Sequence, residues 1–176
     1  VLGPGEDSGI IRFAPAGNGD NWCLVISHES HNHPSQVLPV EGAATGIGGI
    51  VRDVYCMGAD VVGSLDPLRF GDPYGPKGRQ AISIARGVVE GIASYGNALG
   101  VPNLGGDVVF DRGYDDNCLV NVVAVGIVKE SRVIRSRVPV EARTTPYKMI
   151  LIGKPTDDSG FGGAAFASED LASEEK

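Results

Sequence analysis

The spacing of apolar positions changes repeatedly along the chain, and each change predicts an element. Residues 9–13 read as a short strand and 14–21 (APAGNGDN) as a turn-rich connection. Residues 22–27 are a continuous apolar run, which predicts a buried strand. A histidine-bearing segment follows and stops at Pro34, and 34–39 lies between two prolines and reads as extended or looped. Over 42–58, Ala43, Ile47, Ile50, Val54 and Met57 recur at helical spacing and form one apolar stripe. Residues 60–65 predict a strand, and 66–77, rich in Pro and Gly, a loop. A longer helix is predicted over 78–100, with Ile84, Val88, Ile92 and Leu99 facing inward. Residues 102–106 read as a turn, 108–110 as a short strand, and 117–129 as a long apolar strand bulged at Gly126.

After the polar stretch 141–146, residues 147–153 read as a further strand. Residues 157–169 are glycine-rich and then helical, and the closing ASEDLASEEK reads as a solvated tail. Alternating strands and helices give an α/β (α+β) class. The polar stretch divides the chain into a domain over 1–143 and the beginning of another over 144–176. The length of strand 117–129 predicts a sheet that extends into a partner subunit, and so a homodimer.

A second stripe lies beside the apolar one on the 42–58 helix: Gly42, Gly46, Gly49 and Asp53. Glycine in a helix interior costs about 1 kcal/mol relative to alanine, so three on one face need a reason. Two are available and compatible: tight packing on a strand, or close approach of a ligand with Asp53 projecting over it.

Charge and composition narrow the function classes. Lys+Arg 15 against Asp+Glu 22 gives a formal charge of -7 without a basic run, which argues against nucleic acid as a partner. Three scattered cysteines make neither a disulfide framework nor a paired-cysteine zinc site; Cys23 and Cys56 read as small core residues. Reduced thiols point to the cytoplasm. No apolar stretch approaches the roughly 20 residues of a membrane helix. The chain opens on Val1 in what reads as mid-protein, and a longer parent is expected.

All three histidines, His28, His31 and His33, fall in one six-residue window with Glu29 among them. Three chemistries compete for it. Zinc ligation by the imidazoles is one, but strand alternation would send His28 to the opposite side from His31 and His33. A loop in which imidazoles cap backbone groups is the second. The third pairs His31, as acid or base, with Glu29, Asp53 and Asp107 as oxygen ligands for Mg²⁺, and gives Arg52 a substrate phosphate to hold. The run Thr45-Gly46-Ile47-Gly48-Gly49 is neither G-x-G-x-x-G nor a Walker A loop.

Taken together, ESHNHPS (29–35), EGAATGIGGIVRDV (41–54), LRFGDP (68–73) and GGDVVFD (105–111) closely resemble the synthetase subunits of formylglycinamide ribonucleotide amidotransferase. GPGEDSGII (3–11) and SGFGGAAFASE (159–169) are similar to the flanking segments of that family. The resemblance implies an aminoimidazole ribonucleotide synthetase N-terminal-like domain, a mixed sheet packed with helices, plus the start of a second α/β domain. It implies a ligase of purine biosynthesis in which ATP phosphorylates the amide oxygen of formylglycinamide ribonucleotide and glutamine-derived ammonia displaces the phosphate. His31 would be the catalytic acid/base. Glu29 and Asp53, with Asp107 in the same region, would bind Mg²⁺. Ser30, His31, Asn32, His33 and Arg52 would contact the substrate. A glutaminase subunit and a small accessory subunit are the implied partners.

This sequence departs from the family at several points. Ser27 stands where a basic residue usually contacts ATP, with His28 next to it, and Asp107 replaces a more usual Glu. An upstream histidine, a downstream glutamine, another Mg²⁺ aspartate and distal nucleotide-binding segments are missing, so the 176-residue chain is expected not to run the full reaction alone. The other functions in play are a non-catalytic metal- or nucleotide-binding module and a different synthetase or kinase of the same architecture.

Overall fold

A computed structural model describes Gly3 and residues 5–153. The long apolar runs pair into one five-stranded mixed sheet: β1 Gly9–Gly17, β2 Asp20–Ser30, β3 Asp60–Phe70, β4 Asn103–Phe110 and β5 Leu119–Lys129, in the order β1-β2-β5-β3-β4. Only β3 and β4 run parallel, and the helix α3 (Gly78–Leu99) makes the long crossover that a parallel pair requires. Between β2 and β3 lie a six-residue helix, α1 (Asn32–Val37), and the glycine-bearing α2 (Pro39–Cys56).

Helices α2 and α3 pack on each other and on one face of the sheet. The core is the seam between them: Val25, Ile47, Ile50, Val54, Phe70, Val88, Val120 and Val122 are all essentially inaccessible. Along β5, buried and half-buried residues alternate, as they must when one face is covered and the other is not. Gly126 carries no side chain because a Cβ there would collide with Val54 of α2, so this glycine sets how closely α2 lies on β5.

Several expectations change. The 14–21 connection is mostly strand: β1 and β2 meet at Asn18-Gly19, both at positive φ (53° and 79°), an Asn-Gly hairpin turn whose twist suits the flanking strands. β3 continues through Pro67 to Phe70, and Pro67 is tolerated because the ladder to β5 skips Asp66 and Pro67. β4 starts at Asn103, so 102–106 is largely strand. The irregularity near Gly126 is an extra residue in β3, between Val61 and Gly63, rather than in β5. Residues 34–37 and 39 are helical, with a bend at Leu38 between them, since Pro34 and Pro39 each sit in a first turn, where no N–H is needed. Leu99 and Cys56 are exposed, at the last turns of their helices. Residues 147–153 form no strand; with no ladder partner among the described residues, the run Met149–Ile152 stays exposed. β5 is the central strand, hydrogen-bonded on both sides, so it cannot extend the sheet into a partner; among the described residues only β1 and β4 have free edges. The glycine-rich and helical segment 157–169 lies outside the described residues.

Candidate functional site

The histidine segment begins as strand and ends as helix, and the change falls at His31. Glu29 and Ser30 are the last residues of β2; His31, at φ −124° and ψ 61°, turns the chain into α1. The turn is fixed from three sides. His31 N–H donates to Val120 O at 2.8 Å. His31 O accepts from the buried Ser35 hydroxyl at 2.6 Å. Asn32 Oδ1 accepts the N–H of Val120 at 2.8 Å.

The glycine stripe of α2 receives this segment. A Cβ at Gly42 would lie 2.5 Å from Ser35 N; at Gly46, 3.1 Å from His31 Cβ; at Gly49, 2.9 Å from Glu29 Oε2. The packing reading holds in part: Gly46 and Gly49 meet Val122 of β5 and Glu29 of β2, while Gly42 meets the start of α1 and Gly46 also meets His31. The bare helix backbone does not floor an open crevice, because protein already fills it.

Held this way, His31 Nδ1 lies 3.1 Å from Glu29 Oε1, with side chains 16% and 34% exposed. A carboxylate only accepts, so a hydrogen bond here puts a proton on Nδ1, and in the neutral imidazole Nε2 then keeps its lone pair. Asp53, last on the stripe, is half-buried. Burial pushes its carboxyl above the usual carboxylate range; the Arg52 charge opposes that rise, and the charges of Glu29 and Asp7 add to it. Negative charge from Glu29 and Asp7 thus bears on Asp53, and a cation beside it would relieve that repulsion.

This donor set fits Mg²⁺, which keeps several waters and takes one or two carboxylates along with phosphate oxygens. It does not fit zinc. No group of three His, Cys, Asp or Glu side chains among the described residues is placed to hold a metal by itself, and His28 leaves β2 on the face opposite Glu29.

The remaining predicted residues divide. Ser27 is half-buried on the Glu29 side, its hydroxyl donating to Asp7 O at 3.4 Å. Ser30 alternates to the uncovered sheet face and donates to Asn121 Oδ1. His33 sits half-buried on α1. Arg52 is on the surface, its guanidinium 3.8 Å from Asp53 Oδ1 with 73% of its side chain exposed, so it is free to reach an anion. Asp107 does not join Glu29 and Asp53. It lies on β4, three strands away from β2, and both its oxygens accept from the Arg69 guanidinium at 2.8 and 3.0 Å.

Sequence reasoning missed Asp7, Ser35, Gln36 and Asn121. Gln36 had a readable signal, four residues after Asn32 and so on the same helix face. Asn121 had one too, as the only polar residue in the otherwise apolar run 119–128. Ser35 had a local one as well, since its hydroxyl bonds the His31 carbonyl four residues back, while Asp7 acts through a contact that no local pattern encodes.

A mixed five-stranded sheet backed by two long helices, with a Glu-x-His strand end seated on a helix glycine stripe, defines a class. The profile of the AIR synthase related protein N-terminal domain matches residues 5–128, and the chain belongs to that family. Among individual proteins, it is 62% identical over its whole length to phosphoribosylformylglycinamidine synthase subunit PurL of Methanothrix thermoacetophila, and covers 22% of that protein. Thermotoga maritima PurL has been solved with ATP, with FGAR and in an assembly designated PurLQS. It is 41–42% identical over 62–64% of this chain and 16–17% of its own, with a TM-score of 0.54. The chain thus spans about a fifth of the length of the curated relatives it matches.

Proposed function

We propose that this chain is the first domain of a phosphoribosylformylglycinamidine synthase, with residues from 144 onward beginning a second domain. The reaction is the ATP-dependent conversion of the amide of formylglycinamide ribonucleotide into the amidine, using glutamine-derived ammonia. One observation carries the chemical part of this reading: the 3.1 Å Glu29–His31 contact, which in the neutral imidazole would keep the proton on Nδ1 and present Nε2 as the base.

An amide carbon is a poor electrophile until its oxygen becomes a leaving group. Transfer of the terminal phosphoryl of ATP to that oxygen breaks the oxygen–phosphorus bond in the nucleotide and forms an imidate phosphate. Ammonia then adds to the carbon, and inorganic phosphate departs with the former amide oxygen. Addition leaves the nitrogen cationic, and His31 Nε2 is the group that accepts its proton, while Glu29 balances the imidazolium. Mg²⁺ held by Glu29 and Asp53, with Asp7 adjacent, would supply charge neutralisation to the transferring phosphoryl. Arg52 would offer its fork to a substrate phosphate, and His33 would border the ribonucleotide, whereas the Asn32 side-chain oxygen is committed to the Val120 N–H and Ser30 faces the uncovered side of the sheet. Ser27 is the less direct contact, toward ATP, and Asp107, held by the Arg69 fork three strands away, is left out of the site.

ATP as co-substrate draws support from the nucleotide complexes of the Thermotoga protein, and the ribonucleotide from its FGAR complex. A glutaminase and a small accessory subunit as partners follow from the family resemblance, and the cytoplasm as the site of action from the reduced thiols. No helix among the described residues is long and apolar enough to cross a membrane. The test is His31→Ala in the full-length enzyme carrying this chain, assayed with ATP, ammonium and formylglycinamide ribonucleotide. Turnover should fall by at least about 100-fold with the melting temperature nearly unchanged; undiminished turnover removes His31 from the chemistry.

A further inference from the structure

β2 ends at Ser30, but its neighbour β5 does not. Continued antiparallel pairing beyond Ser30–Asn121 would set His31 against Val120 and His33 against Cys118. The chain has by then turned into α1. Two backbone N–H groups are therefore left facing a strand that is no longer there, at Val120 in β5 (0% exposed) and at Cys118 just before it (2% exposed). A buried N–H without a partner costs about 1–3 kcal/mol. Neither is left unpaired. Asn32 Oδ1 accepts from Val120 N–H at 2.8 Å, and Gln36 Oε1 accepts from Cys118 N–H at 2.9 Å.

Asn32 and Gln36 are four residues apart, one helical turn, so their amides stand in a row on one face of α1. That row continues the β2–β5 ladder with side chains in place of backbone. It also decides where α1 lies, since a six-residue helix makes too few bonds of its own to hold an orientation. The Cys118 thiol adds a contact to Asn32 O at 3.7 Å.

We propose that Gln36, together with the side-chain amide oxygen of Asn32, is a positioning element for His31. It acts by registering α1 on β5, so that His31 leaves the sheet with its imidazole aimed at Glu29. For Asn32 this departs from the direct substrate contact implied by the family resemblance, because its side-chain oxygen is already committed to β5. The proposal rests on reading His31 as the reacting base. A misplacement of about 1 Å in such a group can cost on the order of 100-fold in rate, and His31 is one residue from the first latch point.

The experiment uses the full-length enzyme carrying this chain, with His31→Ala as the control for the underlying reading. Gln36→Leu keeps the size and removes the acceptor; Gln36→Glu and Asn32→Asp keep an acceptor and change the rest. The expected result is a fall in kcat of about tenfold or more for Gln36→Leu, with KM for the ribonucleotide within about twofold and an altered pH profile, and recovery of most of kcat in Gln36→Glu. Asn32→Asp should retain activity, because the Val120 N–H still finds its oxygen. Gln36→Leu with unchanged kcat and pH profile, whatever its melting temperature, overturns the proposal. If Gln36→Leu does not fold, Asn32→Asp decides: activity as low as that of Asn32→Ala overturns the proposal, and retention upholds it. An active His31→Ala would instead refute the base assignment. The latch is then read alone from the Cys118 amide, whose hydrogen exchange should accelerate in Gln36→Leu.

Discussion

Gly49 has no side chain where the Glu29 carboxylate lies: a Cβ on Gly49 would come within 2.9 Å of Glu29 Oε2. The neighbour there is the end of a flexible side chain, so an alanine displaces it at little structural cost. Gly49→Ala also gains about 1 kcal/mol of helix propensity. It should therefore hold or raise the melting temperature while breaking the Glu29–His31 bond and lowering turnover in the full-length enzyme. Gly42→Ala should do the reverse. Its Cβ would meet the backbone of Pro34 and Ser35 at 2.5–2.7 Å, and overpacking against backbone costs about 3 kcal/mol or more. Paired thermal melts and activity assays of the two variants check this; equal destabilisation by both would show that the stripe is uniform packing.

Asp66 supplies a pH dependence of stability. Its carboxyl is 5% exposed, Oδ1 has no hydrogen-bond partner, and Oδ2 accepts from Asn103. Burial pushes it up from 3.8 to about 6, against the lowering effect of the Asn103 bond. Below about pH 4 the group is neutral both folded and unfolded, and contributes no penalty. Between about 4 and 6 the unfolded carboxyl ionises while the folded one holds its proton, so stability falls as pH rises. Above that window the penalty is on the order of 3 kcal/mol. Asp66→Asn should flatten this part of the stability profile and raise the melting temperature at pH 8; a lower melting temperature there would mean that the charged form is stabilised by a partner.

Thiol reactivity should separate the three cysteines. Cys56 is exposed, whereas Cys23 and Cys118 are buried, and burial raises both thiols, that of Cys118 to about 12. The thiolate is the reactive form. Iodoacetamide at pH 8 should label Cys56 first, with Cys23 and Cys118 labelled only on unfolding. Mass-spectrometric mapping of early label on Cys118 would contradict the closed packing of α1 on β5.

The long periodic elements were legible in the sequence because each answers to a single repeat: α3 was placed within a residue of its ends, and the α2 stripe was found intact. The ends were not, because partners set them. Pro67 reads as a loop residue until the skipped ladder position beside it is known, and 34–39 reads as extended until Asn32 and Gln36 are seen to bond β5. For the site, proximity in sequence gave Glu29 and His31, and helical spacing gave Asp53. Asp107 failed to join them because nothing local records that three strand spacings and an Arg69 fork separate it from Glu29. Asp7 was missed for the complementary reason: it comes near Asp53 only through the fold.

The central physical claim is that Glu29 fixes His31 with its proton on Nδ1 and its Nε2 bare. Long-range ¹H–¹⁵N correlation of the imidazole nitrogens at pH 8 reads the tautomer directly. His31 should show a protonated Nδ1 and an unprotonated Nε2, and Glu29→Gln should shift that balance. A His31 with its proton on Nε2 would contradict the claim, and with it the base from which the chemistry was built.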